Sequence, residues 1–382
     1  MSLTGPTDPL RSLGAAALLP AARAAAAKAG VTRLADITRL DRIGLPVWQA
    51  VRPWSRALTV HQGKGATAAD AQLGALLEAV ESHAAESFRG QGVHCSFSDL
   101  PAESRAPAIS DFAVCRDRSP SAAASVQWVA AERIGARGSM WVPFDCVSLN
   151  LTENVPSPFD RASNGVATAA TRDEACSIAI HELLERDAVT EWLALDMVDR
   201  MASTIRPQTV PFAWYHELRR RIERAGAHLS CYRVPSLTDT PVFACEINDG
   251  GKDARPFRAI NGRGAHPLPE VALFKAVAEA VQGRVTFVAG ARDDLFPHLY
   301  SAAEAAVTIA FGLPLPTDMK GVDFSDVADG PAKLDELVRA LADRGYPDIA
   351  AITLARPQGL WVVRAFVCGL GSLTRRRRAP LH

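Results

Sequence analysis

The sequence predicts an α+β fold with mixed or antiparallel sheets. Helical and strand-like segments follow one another without the strict alternation that builds a parallel sheet. No GxGxxG motif follows a strand, which disfavours a doubly wound fold. In addition, three helical segments, about a hundred residues apart, each carry paired oxygen ligands beside small apolar residues, and we expect the sheets to support these helices.

The remaining elements follow from local patterns in chain order. Alanine with arginine and lysine predicts a helix within the first thirty residues. This helix is not expected to span a membrane, because no run there reaches the ~18 apolar residues that a span needs. Apolar and β-branched runs predict strands at 45–51, 125–130, 146–151, 229–234, 242–247, 350–354 and 360–367. Further helices are expected at 216–224 and within 302–345. We expect residues 1–30 to form a helical extension, 31–370 one catalytic domain and 371–382 a basic tail.

The central helix follows an Asn-Gly turn at positions 164 and 165. Thr171, with Glu174 three residues later, forms a capping-box pattern, so we expect the helix to begin at about Thr171. Glu182 and Glu185 lie three residues apart and project from a common face. Like charges at this spacing cost only tenths of a kcal/mol on a solvated face, so this stretch alone favours an ordinary surface helix.

That surface interpretation weakens because the pattern occurs twice more. The segment 69–87 carries Glu78 and Glu81 at the same spacing and follows a Gly-Lys-Gly turn at 63–65, and the segment 270–284 carries Glu279 and Gln282. Three such faces indicate a shared acidic pocket that needs cations. Mg²⁺ binds through a few carboxylates together with water and phosphate oxygens, so the pattern predicts a nucleotide–magnesium site.

Six stretches resemble the YcaO family, in the family's own order. They are TRLADITRLDRIGLPVWQAVRP from Thr32, GKGAT from Gly63, SNG from Ser163, EACSIAIHELLERDA from Glu174, EAVQGR from Glu279 and GARDD from Gly290. The resemblance covers about residues 30 to 370. Members of that family are ATP-dependent enzymes that activate a backbone amide in a peptide and form azolines, thioamides or amidines.

The resemblance implies a YcaO-like fold in which the three glutamate-bearing helices converge on ATP and Mg²⁺. It implies metal binding by Glu78, Glu81, Glu182, Glu185 and Glu279. It implies ATP binding by Lys64, Asn164, Glu174, Arg186, Gln282, Arg284 and Arg292. No catalytic residue is assigned, because phosphoryl transfer mainly needs positioning and charge neutralisation.

Two positions depart from the family's pattern. The serine usual four residues before the first glutamate is Gly74, and the arginine usual directly after the second is Ser82. These departures favour an alternative of another class, a degenerate scaffold that binds nucleotide or peptide without turnover. The turn at Lys64 also fits a surface hairpin, and Arg292 also fits a surface ion pair. The glutamates and Arg186 that remain in place favour an active enzyme.

The nucleophile determines the product that the resemblance implies. External sulfide gives a thioamide, whereas a neighbouring Cys, Ser or Thr of the substrate gives an azoline. We expect a thioamide formed with a TfuA-like partner, because the tail ends in Arg375 to Arg378 rather than in prolines and no leader-binding domain is visible. An azoline-forming cyclodehydratase is the alternative. The expected partners are a precursor peptide and a TfuA-like or leader-binding protein, with a homodimer left open.

Composition excludes other classes of protein. Lys plus Arg and Asp plus Glu both number 42, so the net charge of zero gives no general attraction to nucleic acid or to an anionic membrane. Seven cysteines without a CxxC motif fit a reduced cytosol, so we expect a cytoplasmic protein without disulfides. Cys176 suits packing in its helix, and His94 and His181 are given no role.

Overall fold

The computed structural model describes residues 5–112, 120–153, 156–249, 259–300 and 320–370. Its α-helices are α1 (Ala15–Lys28), α2 (Ala68–Ser87), α3 (Arg172–Ala194), α4 (Met197–Ala202), α5 (Ala213–Arg224), α6 (Pro269–Ala289) and α7 (Leu334–Asp343). Its strands are β1 (Arg33–Asp36), β2 (Val47–Val51), β3 (Val60–Lys64), β4 (Gly92–Ser96), β5 (Ser125–Arg133), β6 (Ser139–Pro143), β7 (Val166–Ala169), β8 (Ala227–Val234), β9 (Val242–Asp249), β10 (Ile260–Ala265), β11 (Ile349–Ala355) and β12 (Trp361–Val367). In these ranges no helix combines the length and the apolar character needed to cross a bilayer.

The chain divides into two compact units. The first comprises Met1–Pro53, Leu58–Ala79 and Glu191–Gly330, and the second comprises Trp54–Ala57, Val80–Thr190 and Pro331–His382. The division falls within α2 and near the end of α3, so Glu78 belongs to the first unit and Glu81 to the second. The single catalytic domain expected over residues 31–370 stays a prediction, and the basic tail 371–382 lies outside the described residues.

The first unit contains two three-stranded antiparallel sheets, each of which leads into a helix. β1, β2 and β3 form one sheet and precede α2, and β8, β9 and β10 form the other and precede α6. The predicted pairing of 229–234 with 242–247 is confirmed, because β8 and β9 pair with Cys231 opposite Cys245. Apolar side chains of α5, α6 and the second sheet form the core, including Leu218, Phe243 and Val277. Burial of these faces places α6 against its sheet.

The second unit contains a six-stranded sheet. The strand order is β4-β5-β11-β12-β7, with β6 also paired to β5, and each of these pairs is antiparallel. The predicted strands at 125–130, 350–354 and 360–367 are confirmed as β5, β11 and β12. Trp128, Val142 and Ala350 lie in its core. β7 leads into α3, so each of the three predicted glutamate helices begins after a strand.

Two local predictions are wrong. Residues 146–151 form no strand, since Ser148 Oγ accepts the amide of Asn150 at 3.2 Å and Asn150 Oδ1 accepts the amide of Thr152 at 3.2 Å, which replaces strand pairing by local turns. The predicted turn at 63–65 is displaced, because Gly63 and Lys64 pair with β2 as the end of β3. Of the helices expected within 302–345, α7 is present, and residues 301–319 lie outside the described ranges.

Candidate functional site

The first group of predicted site residues lies in the first unit, around the end of β3. The amide of Gln62 donates a hydrogen bond of 2.8 Å to Oε2 of Glu78 on α2. Nζ of Lys64 lies 3.3 Å from Oε2 of Glu279 on α6. The structure therefore brings two predicted metal ligands and one predicted phosphate-binding cation into one group. Gln62, which sequence reasoning missed, directly precedes the glycine-lysine-glycine motif that signalled the site.

Glycines let α2 and α6 lie against their strands with no side chain between them. A Cβ on Gly63 would lie 2.1 Å from the carbonyl oxygen of Ala71 in α2. In β10, a Cβ on Gly264 would lie 2.3 Å from the carbonyl oxygen of Ala272 in α6. Gly74 meets the same surface from the helix side, since its Cβ would lie 3.1 Å from Cα of Gly63. Close backbone approach therefore sets where Glu78 and Glu279 project.

Glu78 lies in surroundings that oppose its ionisation. Burial raises the pKa of its carboxyl above the ordinary value, whereas the Gln62 amide, the Arg292 guanidinium and the Lys64 ammonium lower that pKa, and the Glu279 carboxylate raises it again. Burial outweighs the neighbouring cations. A divalent cation would favour the ionised form of both carboxylates. It would therefore lower the pKa of Glu78, so the raised pKa suits a residue that binds a metal.

Side-chain amides beside this group have unused hydrogen-bonding atoms. Oε1 of Gln62 accepts from Oγ1 of Thr286 at 2.5 Å and lies 3.5 Å from Nε2 of Gln282. Within the described ranges, Nε2 of Gln62 and Oε1 of Gln282 are buried and have no hydrogen-bond partner. Such an atom costs about 1–3 kcal/mol when it stays unpaired. The donors, acceptors and carboxylates of this group therefore fit a polar ligand such as a nucleotide with Mg²⁺.

Two of the predicted ATP-binding arginines are bound to carboxylates. Arg292 donates to both oxygens of Asp294, from Nε at 2.9 Å and from NH2 at 2.6 Å, which is the ion pair that the sequence left open. Arg284 donates to Asp41 at 3.0 Å, and both side chains are buried. These contacts anchor Arg284 within the fold. A role of either arginine toward ATP stays a prediction.

The second group lies in the second unit and is built on α3. Guanidinium nitrogens of Arg186 lie 3.5 Å from Oε1 of Glu182 and 3.7 Å from Oε1 of Glu185. The amide of Gly165 donates to Oε2 of Glu182 at 3.2 Å. Gly165 has a φ of 79°, a conformation that favours glycine, so the Asn-Gly turn of the sequence places this amide beside the helix. Glu185 is buried, whereas Glu182 is partly exposed.

The start of α3 agrees with the capping pattern. The amide of Glu174 donates to Oγ1 of Thr171 at 3.2 Å, and the helix begins at Arg172. Thr171 is therefore confirmed as the N-terminal cap. Glu174 lies in the first helical turn, and its predicted contact with ATP stays a prediction. Cys176 is buried one turn further on, and burial raises the pKa of its thiol to about 11, which agrees with packing rather than nucleophilic catalysis.

Ser82 has a defined partner in the second unit. Its hydroxyl donates to Oε1 of Glu86 at 2.8 Å, and the hydroxyl of Ser55 donates to the same oxygen at 2.6 Å. Ser82 and Glu86 are buried. The departure from the family pattern at Ser82 therefore has a structural reason, since a buried carboxylate needs hydrogen-bond donors. Glu81 lies beside Ser82 on α2 and is partly buried.

Asn164 and Arg186 both line a small cavity of the second unit, together with Arg364 of β12. Arg364 is a residue that sequence reasoning missed, although a lone arginine in the apolar strand WVVRAFV was a usable signal. Throughout the described residues, no three His, Cys, Asp or Glu side chains form a group suited to a metal ion. Convergence of all five predicted glutamates on Mg²⁺ therefore stays a prediction.

Comparison with known proteins gives a family match over most of the chain. A family profile described as "YcaO cyclodehydratase, ATP-ad Mg2+-binding" matches residues 62–371. A relative from Rhizobium leguminosarum bv. trifolii, named "Uncharacterized protein in tfuA 3'region", is 30% identical over 354 residues. The match covers 89% of this chain and 84% of the relative.

Two solved structures share the fold. "The structure of YcaO from Methanopyrus kandleri bound with AMPPCP and Mg2+" has a TM-score of 0.75 and 22% identity, over 100% of this chain and 99% of that chain. A "Heterocyclase in complex with substrate and Cofactor" has a TM-score of 0.72 and 20% identity, over 90% of this chain. This chain spans 50% of that heterocyclase. These likenesses confirm the predicted α+β architecture of mixed helices and antiparallel sheets.

Proposed function

Because the chain belongs to the YcaO family, we propose that it is an ATP- and Mg²⁺-dependent enzyme that activates a backbone amide of a precursor peptide. The observation that carries this proposal is the group at the end of β3. There Glu78, Glu279 and Lys64 lie close to buried atoms of Gln62 and Gln282 that have no partner in the described part of the chain. This group offers oxygen ligands to a metal and a cation to phosphate.

Residues of both groups have roles in the proposed binding. Lys64 would neutralise phosphate oxygens, and the amides of Gln62 and Gln282 would hydrogen-bond polar atoms of the nucleotide. Arg292 would exchange Asp294 for a phosphate oxygen, because its planar fork suits either group. We assign Mg²⁺ to Glu78, Glu81, Glu182, Glu185 and Glu279. When bound, the metal neutralises phosphate charge during transfer.

We further propose that the product is a thioamide. Hydrosulfide adds through sulfur to the carbonyl carbon, and the amide oxygen then attacks the γ-phosphorus of the co-substrate ATP, so that the bond to ADP breaks. The oxygen leaves as phosphate while the carbon–sulfur double bond forms, and the proton of hydrosulfide leaves with that phosphate. The chain's own contribution is to position the peptide and to neutralise charge.

Support for the thioamide comes from the relative whose name locates it in a tfuA 3' region. We therefore propose a TfuA-like partner protein. The cysteines of the described residues are all free, which suits a reducing compartment, and we propose the cytoplasm as the location. A homodimer stays open.

A mass measurement tests the proposal. Enzyme, candidate precursor peptide, ATP, Mg²⁺ and sulfide are incubated with and without the TfuA-like partner. Exchange of oxygen for sulfur adds about 16 Da to the peptide, whereas cyclodehydration removes about 18 Da, and phosphate release accompanies either. We expect the gain in mass to require ATP, sulfide and the partner together.

An azoline-forming cyclodehydratase is the second candidate, which the family description and the heterocyclase fold favour. Loss of water without sulfide or partner would establish it and defeat the thioamide proposal. Peptide and nucleotide binding without any change in mass or phosphate release, at saturating substrates, would instead favour the scaffold alternative. The two departures at Gly74 and Ser82 give that alternative less support, since both residues have packing or hydrogen-bonding reasons.

A further inference from the structure

A buried arginine lies in the middle of the second unit's sheet. Arg364 is in β12, opposite Ile352 of β11 and Val166 of β7, and it is only 4% exposed. Its NH2 donates to the carbonyl oxygen of Ala162 at 2.6 Å, and its NH1 donates to that of Val147 at 3.5 Å. Among the described residues its acceptors are these two carbonyl groups, one of them at the limit of hydrogen bonding.

In the residues that the structure describes, Arg364 forms no ion pair, and its buried Nε has no hydrogen-bond partner. The carboxylates of Glu182 and Asp160 act on its charge only from beyond ion-pair distance. A buried charge that is only partly compensated costs several kcal/mol, so a ligand that completes the compensation would be stabilising. An apolar side chain, like those of Ile352 and Val166 on the neighbouring strands, would fill the same position at lower cost.

Arg364 lines a cavity of about 70 Å³. Arg186 and Asn164 also line it, and Asp111 is the carboxylate among its lining residues, with one oxygen that accepts the amide of Ala108 at 2.8 Å. The walls are otherwise apolar or sulfur-containing, with Leu183 and Cys146 among them. One water molecule needs about 10–15 Å³, so the cavity holds a few water-sized groups and excludes a nucleotide.

We propose that this cavity binds a compact, weakly hydrated anion, which in the reaction proposed above is hydrosulfide. Arg186 already faces Glu182 and Glu185, so the guanidinium of Arg364, which has no ion pair in the described residues, is the group that would attract an anion into the cavity. Thiol and apolar walls suit a polarisable ion that loses its hydration easily, and they disfavour a strongly hydrated phosphate. The assignment to hydrosulfide rests on the thioamide proposal, whereas the assignment to a compact anion rests on the cavity alone.

Binding measurements on the full chain test the proposal without turnover. Crystals soaked in bromide should give an anomalous peak inside the cavity, and sodium hydrosulfide should saturate the protein in an anaerobic titration without ATP or peptide. We expect Arg364→Gln to weaken hydrosulfide at least tenfold and Arg364→Lys to recover part of the affinity. Arg161→Gln is the matched control, because Arg161 is a partly buried arginine of the same unit that pairs with Asp145 at 2.6 Å and does not line the cavity.

Each outcome decides the question. Equal hydrosulfide affinity in a folded Arg364→Gln variant, or equal weakening by Arg161→Gln, would overturn the proposal. If the Arg364 variants fail to fold, the bromide peak in the parent protein decides, and its absence from the cavity is contrary evidence. A peak without saturation by hydrosulfide in solution would mean binding at crystal concentration only, which also overturns it. An azoline product in the mass measurement would defeat the thioamide proposal and leave a compact-anion site in place.

Discussion

The backbone amide of Gly165 donates a hydrogen bond of 3.2 Å to the carboxylate of Glu182. The amide comes from a turn in which glycine adopts a φ of 79°, and the carboxylate comes from the middle of α3. A neighbouring guanidinium, that of Arg186, lies 3.5 Å from the other oxygen. Glu182 is therefore held in one orientation before any ligand binds, which would lower the cost of the metal binding proposed above.

Replacement of Glu182 by glutamine should abolish Mg²⁺-dependent ATP binding and leave the fold intact. Glutamine keeps an oxygen for the Gly165 amide but removes the charge that a hard cation needs. Titration calorimetry with and without Mg²⁺ measures the loss. Glu132→Gln is the control, because Glu132 is 68% exposed and pairs with Arg172 of the same helix. Parent-like affinity in the Glu182 variant would place this carboxylate outside the metal site.

Replacement of Glu78 by glutamine should remove a pH dependence of stability. Burial raises the pKa of Glu78, so the folded state binds more protons than the unfolded state between the ordinary and the raised pKa. The stability of the parent protein therefore falls as pH rises through that window. The variant's advantage in unfolding free energy should be larger at about pH 8 than at about pH 5.

Denaturant unfolding at both pH values measures this difference. Glu103→Gln, at an exposed glutamate, serves as the control. An advantage of Glu78→Gln that does not grow with pH would contradict the raised pKa.

Replacement of Gln282 by methionine should stabilise the ligand-free protein and weaken nucleotide binding. The change removes a buried oxygen that has no partner in the described residues, which costs about 1–3 kcal/mol. Thermal unfolding with and without ATP and Mg²⁺ checks both effects. Thr209→Val serves as a control, because the hydroxyl of Thr209 hydrogen-bonds to the backbone of Arg206 and Phe324 and not to Gln62 or Gln282. A nucleotide-induced rise in melting temperature equal to that of the parent would remove Gln282 from the ATP site.

Alanine at Gly63 and alanine at Gly74 should differ in cost. The new Cβ at Gly63 would lie 2.1 Å from a backbone oxygen, and overpacking of this kind costs about 1–3 kcal/mol or more. At Gly74 the nearest atom would be 3.1 Å away, and alanine gains about 1 kcal/mol of helix propensity over glycine, which offsets the clash. Chemical denaturation should rank Gly63→Ala well below Gly74→Ala, and equal stabilities would contradict the close packing.

Local patterns predicted the elements that carry the site. The cap at Thr171, the apolar spacing of the three helices and the β8–β9 pair were readable because each depends on residues close in sequence. The predicted strand at 146–151 was wrong, because the side chains of Ser148 and Asn150 accept hydrogen bonds from backbone amides two residues later and so form turns instead.

Other features depend on tertiary contacts that no local pattern encodes. Whether the Arg292 fork binds Asp294 or a ligand is a competition between two acceptors, and the sequence shows only that both are available. The atoms of Gln62 and Arg364 that have no partner in the described part of the chain could not be predicted either, because an unused hydrogen bond depends on everything packed around it. The resemblance therefore located the groups, and the structure supplied the partner of each side chain.

The close backbone contact of α2 with β3 and of α6 with β10 limits which residues related chains can have at the contact positions. Where a glycine lies against a backbone oxygen, no rotamer change can absorb an added methyl group, so Gly63 and Gly264 should each tolerate almost no replacement. A saturation library selected for folding should leave these two positions nearly invariant while the exposed faces of α2 and α6 vary. Such a pattern would show that backbone contact, rather than side-chain packing, fixes how each helix lies on its strand.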